Sequence, residues 1–478
     1  MSTRPASRPL PRTKLVCTIG PASRDRLDEL IAVGMSVARI NLAHGRPDDR
    51  EATIAAVRAA AERAERDIAV LVDLPGPKIR LGQFIGGEAT LEAGRSFHIG
   101  PNGPGDATGA SANHPLAAEL RAGDRVLLAD GAVELRVTGS SGDSLDTIVE
   151  RGGTVRSRAG VAVPSERLSL SALTDDDRAF LPLLVKLGVD LIGLSFVRHA
   201  SDVTALRDAL ADLSPDGVRP AIVAKIETRP AVEDAEAILA AADGAMVARG
   251  DLGVELPFEA VPLIQKRLVA AALRAERPVI VATQMLESMT AAPRPTRAEA
   301  SDVANAALEG TDAVMLSAET AIGAFPIEAA DAAIRIVAAA ETGRQGVAAA
   351  GVEPRLPVPD DARSIANAAV SLAHENRDVE VIACFTRTGR TARLIAAARP
   401  RARIFAFSPD AAVRRGLALV YGVEPRPIDD VARRDVAAAL ATATASIEAS
   451  PGAAIVLVAT TAGGRGGPNL IELLRRAP

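Results

Sequence analysis

Aromatic residues are almost missing from this chain: they make up 2% of its 478 residues, and there is no Trp. Any core must therefore be assembled from Ala, Val, Leu and Ile. Cysteine is as scarce. Cys17 and Cys384 lie far apart, each inside an apolar β-like run, which argues for buried thiols in a reducing cytoplasm. No apolar run reaches the length of a membrane span, so no membrane partner is expected. The segment Met1–Pro11 carries charge and Pro without the hydrophobic core of a signal peptide, and the expected location is cytoplasmic. The net charge is only −5 and no block of like charge runs along the chain. A nucleic-acid partner would need a basic stripe, and none is visible.

What is present is an ordinary globular balance, 48% apolar and 24% charged, in a chain long enough for two or three domains. From Arg12 onward, short β-branched runs alternate with longer helical patterns, the signature of βα units and a parallel sheet. The runs are Lys14–Thr18, Val37–Leu42, Ile68–Asp73, Leu191–Ser195, Ala221–Lys225, Ala245–Ala248, Val279–Ala282 and Ala313–Leu316. Helical stretches such as Asp48–Arg66, Asp202–Leu213 and Phe258–Arg274 lie between them. Eight such runs predict a closed α/β TIM (β/α)8 barrel.

One segment breaks the rhythm. Between Arg80 and about Val163 the helices vanish, Gly, Pro, Ser and Asn cluster around Gly100–Pro115, and short runs such as Val126–Leu128 and Val133–Val137 flank an Asp130–Gly131 turn. This predicts a small β-barrel lid domain at 81–163, inserted into a barrel formed by 12–80 and 164–345. The pattern of the barrel resumes at Leu173–Gly188. An Ala/Gly/Pro-rich linker, Gly346–Asp361, leads to a C-terminal α/β domain at 361–478. That domain is expected to hold helix Ile365–His374, strand Val379–Phe385, helix Thr391–Ala398, strand Arg403–Phe407 and strand Ala454–Ala459.

In such a barrel, residues just past the strand ends face the active site. Those positions carry Arg39, Asn41 and His44 after the second strand, Asp73 after the third, Ser195 after the fourth, and Lys225 with Glu227 after the fifth. Arg249, Gly250 and Asp251 follow the sixth strand, Thr283 and Gln284 the seventh, and Ser317 with Glu319 the eighth. The set suits phosphoryl transfer. Glu227 and Asp251, from adjacent strands, can hold one Mg²⁺ and leave positions for substrate oxygens. Lys225 and Arg39 can neutralise a transferring phosphoryl group, where electrostatic positioning supplies most of the catalysis. Ordinary rim ion pairs are the plainer alternative for Lys225, Glu227 and Asp251. The turn Arg249–Gly253 opens a short helix whose free amides suit a carboxylate.

These residues resemble the pyruvate kinase family. Arg12-Thr13-Lys14 through Ile19-Gly20-Pro21-Ala22-Ser23 is similar to the family's opening, and Asp73-Leu74-Pro75-Gly76-Pro77-Lys78-Ile79-Arg80 to its third strand end. Lys225-Ile226-Glu227, the run Met246 to Glu255, Ala282-Thr283-Gln284-Met285-Leu286-Glu287-Ser288-Met289 and Pro293 to Glu299 resemble further family signatures, as does Ser301 to Ala306. The resemblance implies transfer of the phosphoryl group of phosphoenolpyruvate to ADP, giving pyruvate and ATP, the last step of glycolysis. It implies Glu227 and Asp251 on Mg²⁺ (or Mn²⁺), Lys225 beside the phosphoryl group, and Arg39 on phosphate. Asn41, His44, Arg80 and Arg158 would lie on the nucleotide side. Gly250 and Asp251 amides would hold the substrate carboxylate, Ser195 would line the substrate site, and Thr283 would sit near the carbon that gains a proton. The inserted domain would close as a lid, and a homotetramer is implied.

The sequence departs from the family at several points. Potassium-dependent members bind the ion with an Asn, a Ser, an Asp and a Thr. Here Asn41 and Asp73 remain, but Ala43 and Leu74 stand at the other two positions, and Lys78 replaces a Glu. An ammonium can stand in for potassium as a point charge, so Lys78 is expected to remove the K⁺ requirement; a solvated hinge charge is the alternative. Arg158-Ala159-Gly160-Val161-Ala162-Val163-Pro164-Ser165 replaces a Lys-containing motif, Thr228 an Asn, and Ala318 a Gly. The loop Thr386-Arg387-Thr388-Gly389-Arg390-Thr391 is either an allosteric phosphate cradle or a plain helix cap. Two other functions stay open: a metal-dependent TIM-barrel lyase of pyruvate or phosphoenolpyruvate, and a diverged non-enzymatic regulator.

Overall fold

The computed structural model describes residues 10–43, 47–101, 103–129, 131–214, 219–344, 361–429, 444, 447, 449–459 and 468–475. The expected apolar runs form strands because a parallel sheet covered on both faces buries every side chain, so its strands read as continuous apolar segments. Leu191–Leu194, Val279–Ala282 and Ala313–Leu316 are buried at every position. We number the barrel strands β1 (Lys14–Thr18), β2 (Met35–Asn41), β3 (Ala69–Asp73), β4 (Leu191–Leu194), β5 (Ala221–Ile226), β6 (Gly244–Ala248), β7 (Val279–Ala282) and β8 (Ala313–Leu316). Each pairs in parallel with its sequence neighbours, and β8 pairs with β1, which closes the barrel.

The helices lie within a few residues of where the pattern puts them, the first of the C-terminal unit starting at Asp361 and the one after β2 ending at Arg63, and one is divided. The stretch from Phe258 to Arg274 divides into a 3-10 turn, Phe258–Ala260, and an α-helix, Val261–Arg274. Pro262 has no N–H to donate, so it is accommodated in the first turn of a helix and not inside one.

Between β3 and β4 lies a separate strand-rich unit. Six strands, Val161–Ala162, Arg125–Leu128, Val133–Ser141, Ser144–Arg151, Ser96–Gly100 and Gly109–Ser111, form one sheet in that order. Glu88–Leu91 pairs with Gly153–Arg156 beside it. Their inward side chains, among them Phe97, Leu128, Leu135 and Val155, make a core of their own. Asp130 of the expected turn lies outside the described residues. The two crossings to the barrel run side by side, bridged at Arg80 and Gly160.

The C-terminal α/β unit has a five-stranded sheet ordered Val423–Pro427, Arg403–Ser408, Val379–Phe385, Ala454–Ala459, Leu470–Arg475, the last strand antiparallel. It docks on the barrel at the N-terminal ends of the strands. Ala418 and Leu419 enter the barrel's inner core beside Val16, Leu71, Ile280 and Met315. Around this plug, Arg415 pairs with Asp190 (2.7 Å), Arg399 with Asp312 (2.8 Å) and Arg414 with Asp67 (3.0 Å). Most of the expected linker falls outside the described residues. Among the described residues, no helix is long and apolar enough to cross a membrane.

Candidate active site

At the C-terminal ends of the barrel strands the polar groups converge in a few linked pairs. Arg39, in β2, donates from Nε and Nη2 to Asp73 Oδ2 at 3.0 and 2.8 Å, and from Nη1 to Thr18 Oγ1 at 3.1 Å. Burial raises the Asp73 pKa, but Arg39, Lys225 and Lys78 together hold it below the usual carboxylate range. Its other oxygen, Oδ1, is buried and has no hydrogen-bond partner. An unpaired buried carboxylate oxygen is costly, and a cation close by relieves that cost.

Lys225 lies at the end of β5. Its ammonium is 3.0 Å from Glu227 Oε2 and donates to Ser195 Oγ at 2.8 Å; Ser195 in turn donates to the Leu74 carbonyl at 2.7 Å. Burial lowers its pKa, yet Glu227, Asp73 and Asp251 more than offset this and hold it above the ordinary lysine value. The ammonium therefore stays charged. Glu227 Oε1 accepts from the Phe196 amide at 2.6 Å. Phe196 has φ +59°, and this left-handed turn directs its N–H toward the carboxylate. Burial is also the main cause that raises the Glu227 pKa; Asp251 adds to it and Lys225 opposes it.

The donor set fits a divalent cation. Glu227 Oε2 takes no well-directed hydrogen bond despite its burial, and Asp251 stands exposed in the first turn of the helix Arg249–Glu255. Two carboxylates leave most of an octahedral shell to water and substrate oxygens, as expected for Mg²⁺. Among the described residues no group of three or more His, Cys, Asp or Glu gathers as a metal cage, so a cation here would rest on these two carboxylates.

Thr283 ends β7 in a strained turn: it has φ +67°, followed by Gln284 at +52°. Its hydroxyl donates to the Ala282 carbonyl (2.6 Å) and accepts from the Gly250 amide (2.7 Å). The Gly250 turn and Thr283 are thus in direct contact. Lys78 is exposed at the mouth of the site. Its pKa is nonetheless lowered, by partial desolvation of the ammonium and by the nearby Arg80 and Lys225, against the opposing pull of Asp251 and Glu227. Arg80 donates to the Arg158 carbonyl at 2.9 Å, so the two arginines flank the crossings to the strand-rich unit. Asn41 Oδ1 accepts from the Ala43 amide. His44 lies outside the described residues.

The expected phosphate loop stands apart from this cluster, between strand Val379–Phe385 and helix Arg390–Ala397. Gly389 caps that helix with φ +79°, and Thr386 and Thr391 are buried. Four contacts at the strand ends were not read from sequence: the Thr18 hydroxyl, the Phe196 amide, the Leu74 carbonyl and the reach of Arg249 into β7. Only Phe196 and Arg249 carried a local signal, each adjoining a polar strand end.

Family models agree with this architecture. A pyruvate kinase barrel domain model matches residues 10–330, and a pyruvate kinase alpha/beta domain model matches residues 363–474. A pyruvate kinase of Geobacillus stearothermophilus is 42% identical over 423 residues, covering 86% of this chain and 71% of that protein. One from Mycobacterium tuberculosis is 40% identical over 418 residues, covering 86% and 87%. A crystal structure of a Cryptosporidium parvum pyruvate kinase superposes with a TM-score of 0.88 at 34% identity over 98% of both chains. This chain belongs to the pyruvate kinase family.

Proposed function

We propose that this chain moves the phosphoryl group of phosphoenolpyruvate to ADP, and that the enolate left behind takes a proton to give pyruvate. The observation that carries the reading is the Lys225–Glu227 pair at the strand ends, a fixed cation 3.0 Å from a buried carboxylate oxygen that takes no directed hydrogen bond. Lys225 and Arg39 stabilise negative charge on the group in transit. They act without reorganising, because Ser195, Glu227 and Asp73 already hold them. Glu227 and Asp251 would hold Mg²⁺ (or Mn²⁺), which when bound supplies charge neutralisation and a template for substrate oxygens. The Asp251 amide grips the carboxylate, while the Gly250 amide donates to the Thr283 hydroxyl and would have to exchange that partner to join it. Thr283 would serve the proton transfer, and Arg80, Arg158 and Asn41 the nucleotide, a role the family resemblance also gives to His44. The strand-rich insert closes over this arrangement and excludes water.

Pyruvate kinases generally need both Mg²⁺ and K⁺. For this chain we infer that Lys78 replaces the monovalent ion. The unpartnered Asp73 Oδ1 and the field of Lys78 on that carboxylate support this. The division at 12–80 with 164–345, 81–163 and 361–478, the cytoplasmic location, the phosphate loop Thr386–Thr391 and a homotetramer belong to the same reading. Self-association is supported by Phe258 and Leu263, apolar side chains exposed on neighbouring turns.

Pyruvate and ATP formation, measured with Mg²⁺ in sodium-only and in potassium buffer, tests both points. Equal activity is expected in the two buffers, and Lys78→Glu should make activity potassium-dependent, with a drop of roughly tenfold or more in sodium. Activity only with potassium would keep the transferase and remove the role of Lys78. No pyruvate from folded protein in either buffer would overturn the transferase reading.

A further inference from the structure

Arg249 is a strand-end cation with no part in the scheme above, yet it is the most heavily tied side chain near Thr283. Nη1 pairs with Asp302 Oδ2 at 2.6 Å and reaches Gln265 Oε1 at 3.3 Å. Nη2 donates to the Thr283 carbonyl at 2.5 Å and lies 2.8 Å from Met285 Sδ, while Nε donates to the Ala282 carbonyl at 3.3 Å. Three of these contacts fall on residues 282–285, the segment that turns out of β7.

That segment needs holding. Thr283 and Gln284 are consecutive left-handed residues with side chains, and Thr283 is β-branched, which makes the conformation costlier still. Strain of this kind persists only where surrounding contacts over-determine it. The Arg249 side chain takes the carbonyl of Thr283, while the amide of the next residue, Gly250, takes its hydroxyl. One stretch of chain at the end of β6 therefore grips both the backbone and the side chain of Thr283. Asp302, from the helix Arg297–Glu309, anchors the guanidinium from outside.

We propose that Arg249 is a positioning residue for the proton-transfer half of the reaction: it keeps the Thr283 hydroxyl in register with the Gly250 turn. This rests on the phosphoenolpyruvate reading. In the reverse direction that half-reaction breaks a C3–H bond of pyruvate. The proton passes to an exchangeable group and the electron pair to the enolate, so in D₂O the methyl hydrogens are replaced by deuterium. The exchange can be followed apart from phosphoryl transfer.

The experiment measures deuterium entry into the pyruvate methyl group by NMR, with Mg²⁺ and inorganic phosphate, for the parent, Arg249→Lys and Asp302→Asn. A lysine keeps the charge but lacks the planar fork needed to bridge Asp302 and two carbonyls. Arg249→Lys should slow exchange about tenfold or more, and raise the solvent isotope effect on kcat, with the KM for ADP within about twofold of the parent. Asp302→Asn should fall between the two, and it serves alone if Arg249→Lys does not fold. A purely structural role would lower the melting temperature and leave the exchange rate and the isotope effect of folded enzyme at the parent's values; that result overturns the proposal. A parent that makes no pyruvate from phosphoenolpyruvate and ADP fails at the underlying reading instead.

Discussion

Lys225 shows how one side chain is held charged by its neighbours. Desolvation alone would push its proton off, and three carboxylates hold it on. Replacing it with Met keeps the length and removes the charge. Because preorganised charge acts mainly on the transition state, Lys225→Met should lower kcat by roughly 10²–10³-fold with the KM for phosphoenolpyruvate changed far less. Steady-state kinetics in Mg²⁺ check this, and a kcat near the parent's would remove Lys225 from the chemistry. The choice of residue type is itself informative. Only Lys14, Lys78, Lys186, Lys225 and Lys266 are lysines, and the rest of the 55 Lys and Arg residues are arginines. Two of the five lie at the strand ends, where a compact point charge serves better than a fork. Lys14 is half-buried instead, donating to the Val423 carbonyl across the boundary between barrel and C-terminal unit.

Among the elements, the segment where the insert rejoins the barrel carries the clearest pH signature. Ser165 in the turn Ser165–Arg167 donates to Glu255 Oε2 at 3.0 Å, and Glu255 closes the helix that begins at Arg249. A cavity of about 220 Å³ opens beside them, walled by Arg125 and Arg136 of the insert and by Arg229 and Val254 of the barrel. Burial pushes the Glu255 carboxyl up to about 7 against the opposing pull of the Ser165 hydroxyl. The folded chain therefore holds this proton more tightly than the unfolded chain does. The associated stability is complete below the ordinary carboxylate range and is lost as pH rises through about 7. Glu255→Gln should flatten that part of the profile: melting temperatures at pH 5 and pH 8 should lie closer together in the variant. An unchanged difference would show that Glu255 does not titrate in the fold.

Elements also differ in how far the sequence discloses them. Val379–Phe385 and Ala454–Ala459 were readable to the residue because both are interior strands with almost every side chain buried. Leu470–Arg475 and Val423–Pro427, at the two edges of the same sheet, were not. Their residues are half-exposed and mixed in polarity, and only a neighbouring strand gives them an extended form. The site divides in a similar way. Arg39, Lys225, Glu227 and Asp251 could be placed from their position after apolar runs. The contacts that orient them come from backbone atoms of other strands, such as the Phe196 amide and the Leu74 carbonyl, and every residue type carries those groups.

For the whole molecule, the barrel has two ends with separate duties. The side chains proposed for chemistry gather where the strands finish, and the C-terminal unit packs where they start, around Ala418 and Leu419 with the ion pairs of Asp190 and Asp312. Leu419 is almost fully buried. Leu419→Ala should cost about 2–5 kcal/mol of stability, seen as a lower denaturant midpoint, while kcat stays within about twofold of the parent. A matching loss of activity at temperatures where the variant is folded would show that the two ends are coupled.

The plug also bears on how the protein is made. The last barrel strand ends at Leu316, but the side chain that seals the barrel's floor is Leu419. A ribosome adding roughly 5–20 residues each second leaves the nascent barrel unsealed for about 5–20 s after its final strand has been polymerised. During that interval Val16, Leu71 and Met315 face an opening where the C-terminal unit will later dock. A nascent chain stalled between these two points would be a natural client for a chaperone that binds exposed aliphatic surface.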